Sequence, residues 1–192
     1  MIRRRARTPL AIASLVALLS MAVTAVPASA EPERVQTVER YAHKLVNCLR
    51  TGGRVTWDGR CRGFGSGQYS EYRAPLEFSN KISNKVAWPW ARRTVTASYC
   101  GHSLAPSTVD QRFRAVALKH VKNGENIGCH MTRDPRRMVA LILRWWQRES
   151  AYGGWHWRQI KDPDFQSAGY GIAKRAGGRS HLVVDFYGEV VD

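Results

Sequence analysis

Apolar positions recur along this chain with two periods, helical in its first three-quarters and alternating near its end. From 35 to 50, Val38, Tyr41, Ala42, Leu45, Val46 and Leu49 stand three and four residues apart, the stripe of an amphipathic helix. Arg40, His43, Lys44, Asn47 and Arg50 share the other side, which makes His43 a solvated surface residue, and Gly52-Gly53 ends the helix. A second helical pattern over 76–98 runs through Leu76, Ile82 and Val86 and must kink or restart at Pro89, which lacks an amide donor. Residues 100–130 read as mostly irregular apart from a short helix around 109–118. A strong helix then spans about 135–149, with Pro135 in its first turn. Past Gly153-Gly154 the period changes. Tyr170 and Ile172 alternate before a turn at Gly177-Gly178, and Leu182, Val184 and Phe186 alternate after it, which predicts a β-hairpin over 169–188. Helices early and in mid-chain with strands at the end predict an α+β layered domain.

Composition adds an address and a size. Arg3, Arg4, Arg5 and Arg7 precede an apolar run from about Leu10 to Val26, and Ala28-Ser29-Ala30 forms an A-x-A cleavage site, so residues 1–30 read as a secretory signal peptide. The apolar run is short for a membrane span. Residues 31–192 are left as a single domain that is secreted, extracellular and not membrane-spanning. A Gly/Cys-rich loop at about 51–70 holds six glycines and Cys61. The net charge is +15, of which the leader arginines supply four. Anionic partners follow, either lipid or an acidic envelope polymer. No nucleic acid is expected, because no recognition motif accompanies the charge.

Cys48, Cys61, Cys100 and Cys129 all fall in the mature region, and an even count in an exported chain reads as two disulfides. Three connectivities are possible; sequence order favours Cys48–Cys61 and Cys100–Cys129.

The candidate chemistry starts at Glu149. Met138, Leu141, Ile142 and Trp145 form the apolar stripe of the 135–149 helix, and Glu149 takes its next position, while Ala140 falls among the polar residues. A carboxylate on a buried stripe must be paired, protonated or metal-bound. Glu125 lies in Asn123-Gly124-Glu125-Asn126, a turn-like context that projects its side chain. His102 follows Cys100-Gly101, so a disulfide would fix its backbone. His156 sits between Trp155 and Trp157, whose indoles would lower the local polarity.

The ordered series His102-Ser103, Gly124-Glu125-Asn126-Ile127, Trp146-x-x-Glu149, His156-x-x-Gln159, Gly169-Tyr170-Gly171 and Phe186-Tyr187-Gly188 resembles the CAP superfamily, the cysteine-rich secretory, antigen 5 and pathogenesis-related-1 proteins, and its bacterial secreted (SCP-like) members in particular. The resemblance covers about three-quarters of the mature chain and implies a three-layer α-β-α sandwich. It also implies that His102, Glu125, Glu149 and His156 line a central cavity able to hold a divalent metal, zinc first. His120 is a rival for the first histidine. The 51–70 loop has no counterpart in the family pattern. Three functions follow: a secreted binding module for lipid or another envelope component, a metal-dependent extracellular hydrolase, or a structural module in which the tetrad only stabilises the core. Neither H-E-x-x-H nor G-x-S-x-G occurs, so the balance leans against an enzyme.

Overall fold

The computed structural model describes residues 31–105, 107–119, 122–176 and 178–189; the expected signal peptide and His120 lie outside the described residues. Strand β1 (Glu33–Arg34) leads into helix α1 (Gln36–Arg50). Two short strands, β2 (Arg54–Val55) and β3 (Cys61–Arg62), pair with each other in the loop that follows. After β4 (Glu77–Phe78) comes a continuous helical run made of α2 (Asn80–Ile82), a π-helical turn (Ser83–Ala87) and α3 (Trp88–Thr96). The chain continues through α4 (Val109–Ala115), β5 (Lys122–His130), α5 (Pro135–Arg148), a 3₁₀ turn (Glu149–Ala151) and α6 (Trp155–Lys161). It closes with the expected hairpin, β6 (Ser167–Lys174) and β7 (Ser180–Gly188).

The sheet runs β1-β6-β7-β5, with β4 added in parallel to β6. Alternation along the strands sends Ala168, Tyr170, Ile172, Leu182, Val184 and Phe186 to one face, where they pack on Leu45, Leu49, Ile142, Leu143, Trp146 and Ile160 of α1, α5 and α6. Ala173, Val183 and Ile127 go to the other face and meet Ala87, Trp90, Ala91 and Val95 of the α3 layer. Helices therefore cover both faces, as the α-β-α layering requires.

Two sequence details set how closely these layers approach. A Cβ on Gly169 would come within 2.5 Å of Ser83 N, and one on Gly171 within 2.3 Å of Ala87 O. The two glycines flanking Tyr170 thus let a helix backbone lie directly on the sheet, while Tyr170 fills the opposite face. Pro89 does not restart the helix, which runs through it without a break. It cannot donate to the carbonyl one turn back, and the helix widens just before it, so that Trp88 N–H bonds Ser83 O.

Several expectations fail, each for a tertiary reason. Leu76 lies before the second helix and begins no helical turn. The stretch read as irregular contains β5, a nine-residue strand paired with β7 along its whole length. Asn47 and Arg50 are buried because the chain at 74–76 and 160–165 folds over the end of α1. Asn47 exchanges bonds with Leu76 N and O at 2.8 and 2.9 Å. Arg50 donates to the carbonyls of Ala74, Ile160, Asp162 and Phe165. His43 is half-buried against Phe78 and Tyr170, and burial with Arg40 nearby pulls its pKa down to about 4. In α5 the buried stripe includes Ala140 and runs through Trp146, while Trp145 is exposed.

Candidate functional site

Glu125 stands in the middle of β5, not in a turn. Its strand partner across the ladder is Asp185 of β7. Both face the α3 layer and both are buried. A buried carboxylate needs compensating donors, and Glu125 has two. His102 Nδ1 lies 2.8 Å from its Oε1, and the Arg112 guanidinium reaches its Oε2. Arg112 projects from α4, which Thr108 and Gln111 start as a capping box. The same guanidinium donates to His102 O at 3.1 Å and lies over the Trp90 ring. It thereby fixes the backbone and the acid partner of His102 together. The disulfide Cys100–Cys129 ties this segment to β5 as expected, and Cys48–Cys61 closes the earlier loop.

Glu149 is buried as its stripe position requires, and its partners explain why. Helix α6 starts at Gly154, which has no side chain to cap it. Glu149 supplies the cap from the preceding turn: its Oε2 accepts from His156 N at 3.0 Å and Trp157 N at 3.3 Å. Its Oε1 lies 2.7 Å from His156 Nδ1. The His156 ring stacks on Trp146, with centroids 5.1 Å apart, and meets Trp145 at 5.2 Å. The indoles against it come from α5, whereas its chain neighbour Trp155 is exposed. Asn126 completes the arrangement by donating to His156 O at 2.9 Å.

The result is two carboxylate–imidazole pairs from opposite layers. His102 and His156 line one cavity of about 420 Å³, walled by Ile127, Leu141, Ile142 and Trp145. The His102 side chain is 45% exposed and His156 16%, whereas Glu125 is 0% and Glu149 5%. The imidazoles reach the cleft and the carboxylates stand behind them. An ionised carboxylate only accepts hydrogen bonds, so each Nδ1 is the donor and the Nε2 lone pair of the neutral ring is left for a ligand.

That arrangement bears directly on the metal expected here. Both Glu149 oxygens and both Glu125 oxygens already accept protein hydrogens. Among the described residues no three His, Cys, Asp or Glu side chains gather as a metal-ligand group. The donor set fits ligation by two imidazoles with carboxylates orienting them from behind, a common supporting role around metals.

Sequence reasoning missed Arg112 and Asp185. Arg112 had no periodic signal, although a buried glutamate calls for a cation. Asp185 alternates with Val184 and Phe186, so spacing alone gives it the position of a solvated residue on a half-buried strand. Its carboxyl oxygens are buried and find no donor geometry among the described residues. Burial, then the neighbouring Glu125, holds its pKa well above the usual carboxylate range, which favours the protonated acid at this position.

No protein-family model and no curated protein matches the chain. Solved structures do. An extracellular protein of Bacillus anthracis containing an SCP domain aligns over 61% of this chain at 15% identity and a TM-score of 0.50. This chain spans 35% of that protein's length. An outer surface protein of Borrelia burgdorferi aligns over 83% of this chain and 99% of its own, at 14% identity and a TM-score of 0.61. Element order and layering agree with these neighbours: the chain has an SCP-like fold.

Proposed function

We propose that this protein is an extracellular binding module whose cleft between His102 and His156 takes a small amphiphile, such as a lipid of the cell envelope. One observation carries the reading: two imidazoles, each oriented by its own buried glutamate, open onto a cavity whose walls are apolar. A ligand hydroxyl would donate to the two Nε2 lone pairs, or a ligand carboxylate would meet a cation held by them, and its apolar part would lie along Ile127, Leu141, Ile142 and Trp145. The cavity's 420 Å³ falls in the range that small-molecule sites occupy. Extracellular placement is supported by the leader-like first thirty residues and by neighbours that are extracellular or on an outer surface. No helix among the described residues is long and apolar enough to cross a membrane.

A divalent cation, zinc first, would be held by His102 and His156, with Glu125 and Glu149 keeping their rings in place; bound there, it would act as a Lewis acid toward the ligand's polar group. Arg112 prevents Glu125 from swinging away, and the Trp146 stack limits rotation of His156.

Calorimetric titration with zinc chloride and with oleate tests the reading. Wild-type protein is expected to bind both. His102→Ala and His156→Ala lose zinc binding, and Trp145→Ala weakens oleate by about tenfold, near 1.4 kcal/mol. Absence of binding by both probes, or oleate affinity indifferent to Trp145, sinks the proposal.

A further inference from the structure

We propose that the cleft between the 51–62 loop and α5 is a second binding site, for an anionic glycan chain, independent of the imidazole cleft. The loop that forms it is the segment the CAP pattern leaves unexplained, and it is built rigidly. The Cys48–Cys61 disulfide anchors it to α1. Val55 N donates to Gln147 Oε1 at 2.9 Å, and Thr56 N to Arg60 O at 2.9 Å. Tyr41 Oη donates to Gly59 O at 2.6 Å. Gly59 has φ +73°, and a Cβ there would stand 2.0 Å from Tyr41 Oη, so glycine is required for this contact.

What this effort holds in place is Trp57. Its indole is 71% exposed. The Arg144 guanidinium, from α5, lies 3.4 Å from the ring centre and fixes one face of the ring. The other face is open beside a cavity of about 580 Å³ lined by Tyr41, Asp58, Arg60, Asp134, Arg136 and Arg137. The two acids are already engaged: Asp134 caps α5 through Arg136 N, and Asp58 bonds Thr56 and pairs with Arg60. Arg136 and Arg137 are exposed and leave the cleft cationic.

These groups match one chemistry better than others. An open indole face suits the C–H face of a pyranose ring. Guanidinium forks suit the carboxylate or sulfate substituents of an acidic sugar. The two carboxylates accept hydroxyl protons, which a sugar supplies in number. An anionic bilayer supplies few. A nucleic acid strand would call for successive stacking platforms, and the cleft presents one.

Binding of a heparin-derived hexasaccharide, followed by calorimetry and tryptophan fluorescence at about 50 mM salt, tests the site. Trp57→Ala and the double variant Arg136→Gln/Arg137→Gln are each expected to weaken binding at least about tenfold at unchanged melting temperature. His102→Ala is expected to bind like wild type, which separates this site from the imidazole cleft. Four results overturn the proposal: no hexasaccharide binding, full affinity in Trp57→Ala, equal affinity for neutral chitohexaose, or tighter Trp57-dependent binding of an oligodeoxynucleotide or of phosphatidylglycerol vesicles.

Discussion

Replacing Asp185 by asparagine should make the protein more stable, and increasingly so as pH rises. Asp185 is fully buried in the middle of the sheet, opposite Glu125, and burial raises its folded-state pKa. In the unfolded chain it ionises near pH 3.9. Above that value the folded protein keeps a proton that the unfolded chain has released, so the linkage slope is negative. Its size is about 1.4 kcal/mol of lost stability per pH unit, continuing until the folded-state pKa is reached. The carboxamide of Asp185→Asn has the same shape, cannot ionise, and offers an N–H toward Glu125. Subtracting wild-type from Asp185→Asn stability cancels the titrating groups that do not touch this position, leaving Asp185 and the Glu125 that faces it. Urea unfolding at about pH 4.5, 5.5 and 6.5 should therefore give a difference growing by up to about 2–3 kcal/mol over the series. A difference that stays constant across the three pH values would show that Asp185 is ionised in the folded protein, and the account of the buried acid pair would be wrong.

Other outcomes follow from the same structure. Arg50→Met leaves the buried carbonyls of Ile160 and Phe165 without a donor and should cost about 3–5 kcal/mol by denaturant unfolding, whereas Arg40→Met, on an exposed contact to Asn80, should change little. His43 and His181 are both held down to about 4, mainly by burial. Between their unfolded pKa near 6.5 and about 4 the unfolded chain binds the extra protons, so these two groups withdraw stability as pH falls; NMR should show both rings neutral at about pH 5.5. The double variant Cys100→Ser/Cys129→Ser opens a loop of 29 residues and should lose roughly 3–4 kcal/mol, with weaker zinc binding because His102 loses its tether.

The legible parts of this fold were those where one periodicity decides the outcome. Helix α1 and the β6–β7 hairpin follow from spacing alone. Glu149 was legible because a carboxylate on a helical stripe is a contradiction that only a partner resolves, and His156 with the α6 amides is that partner. Strand β5 was not, since Asn123-Gly124-Glu125-Asn126 has the composition of a turn. It becomes a strand because β7 offers a ladder and helices cover both faces, information held elsewhere in the chain. Arg50 shows the same limit. Its place on the polar side of α1 is visible in the sequence, but the loops that bury it arrive from 24 and 110 residues away. The imidazole cleft was half legible: the ordered motifs named four residues, while Arg112 and Asp185, which set their electrostatics, belong to no motif.

Strand β5 ends the sheet, with β7 on one side and, among the described residues, no further strand on the other. An uncovered edge of this length would recruit strands from neighbouring chains and seed aggregation. Here Glu125, Asn126 and Ile127 are nevertheless 3%, 0% and 6% exposed. The Cys100–Cys129 tether and the paired side chains of the cleft lie along this strand, so the apparatus that positions His102 also shields the sheet from self-association. Loss of that tether should show first as precipitation during expression in a reducing compartment, before any binding assay is reached.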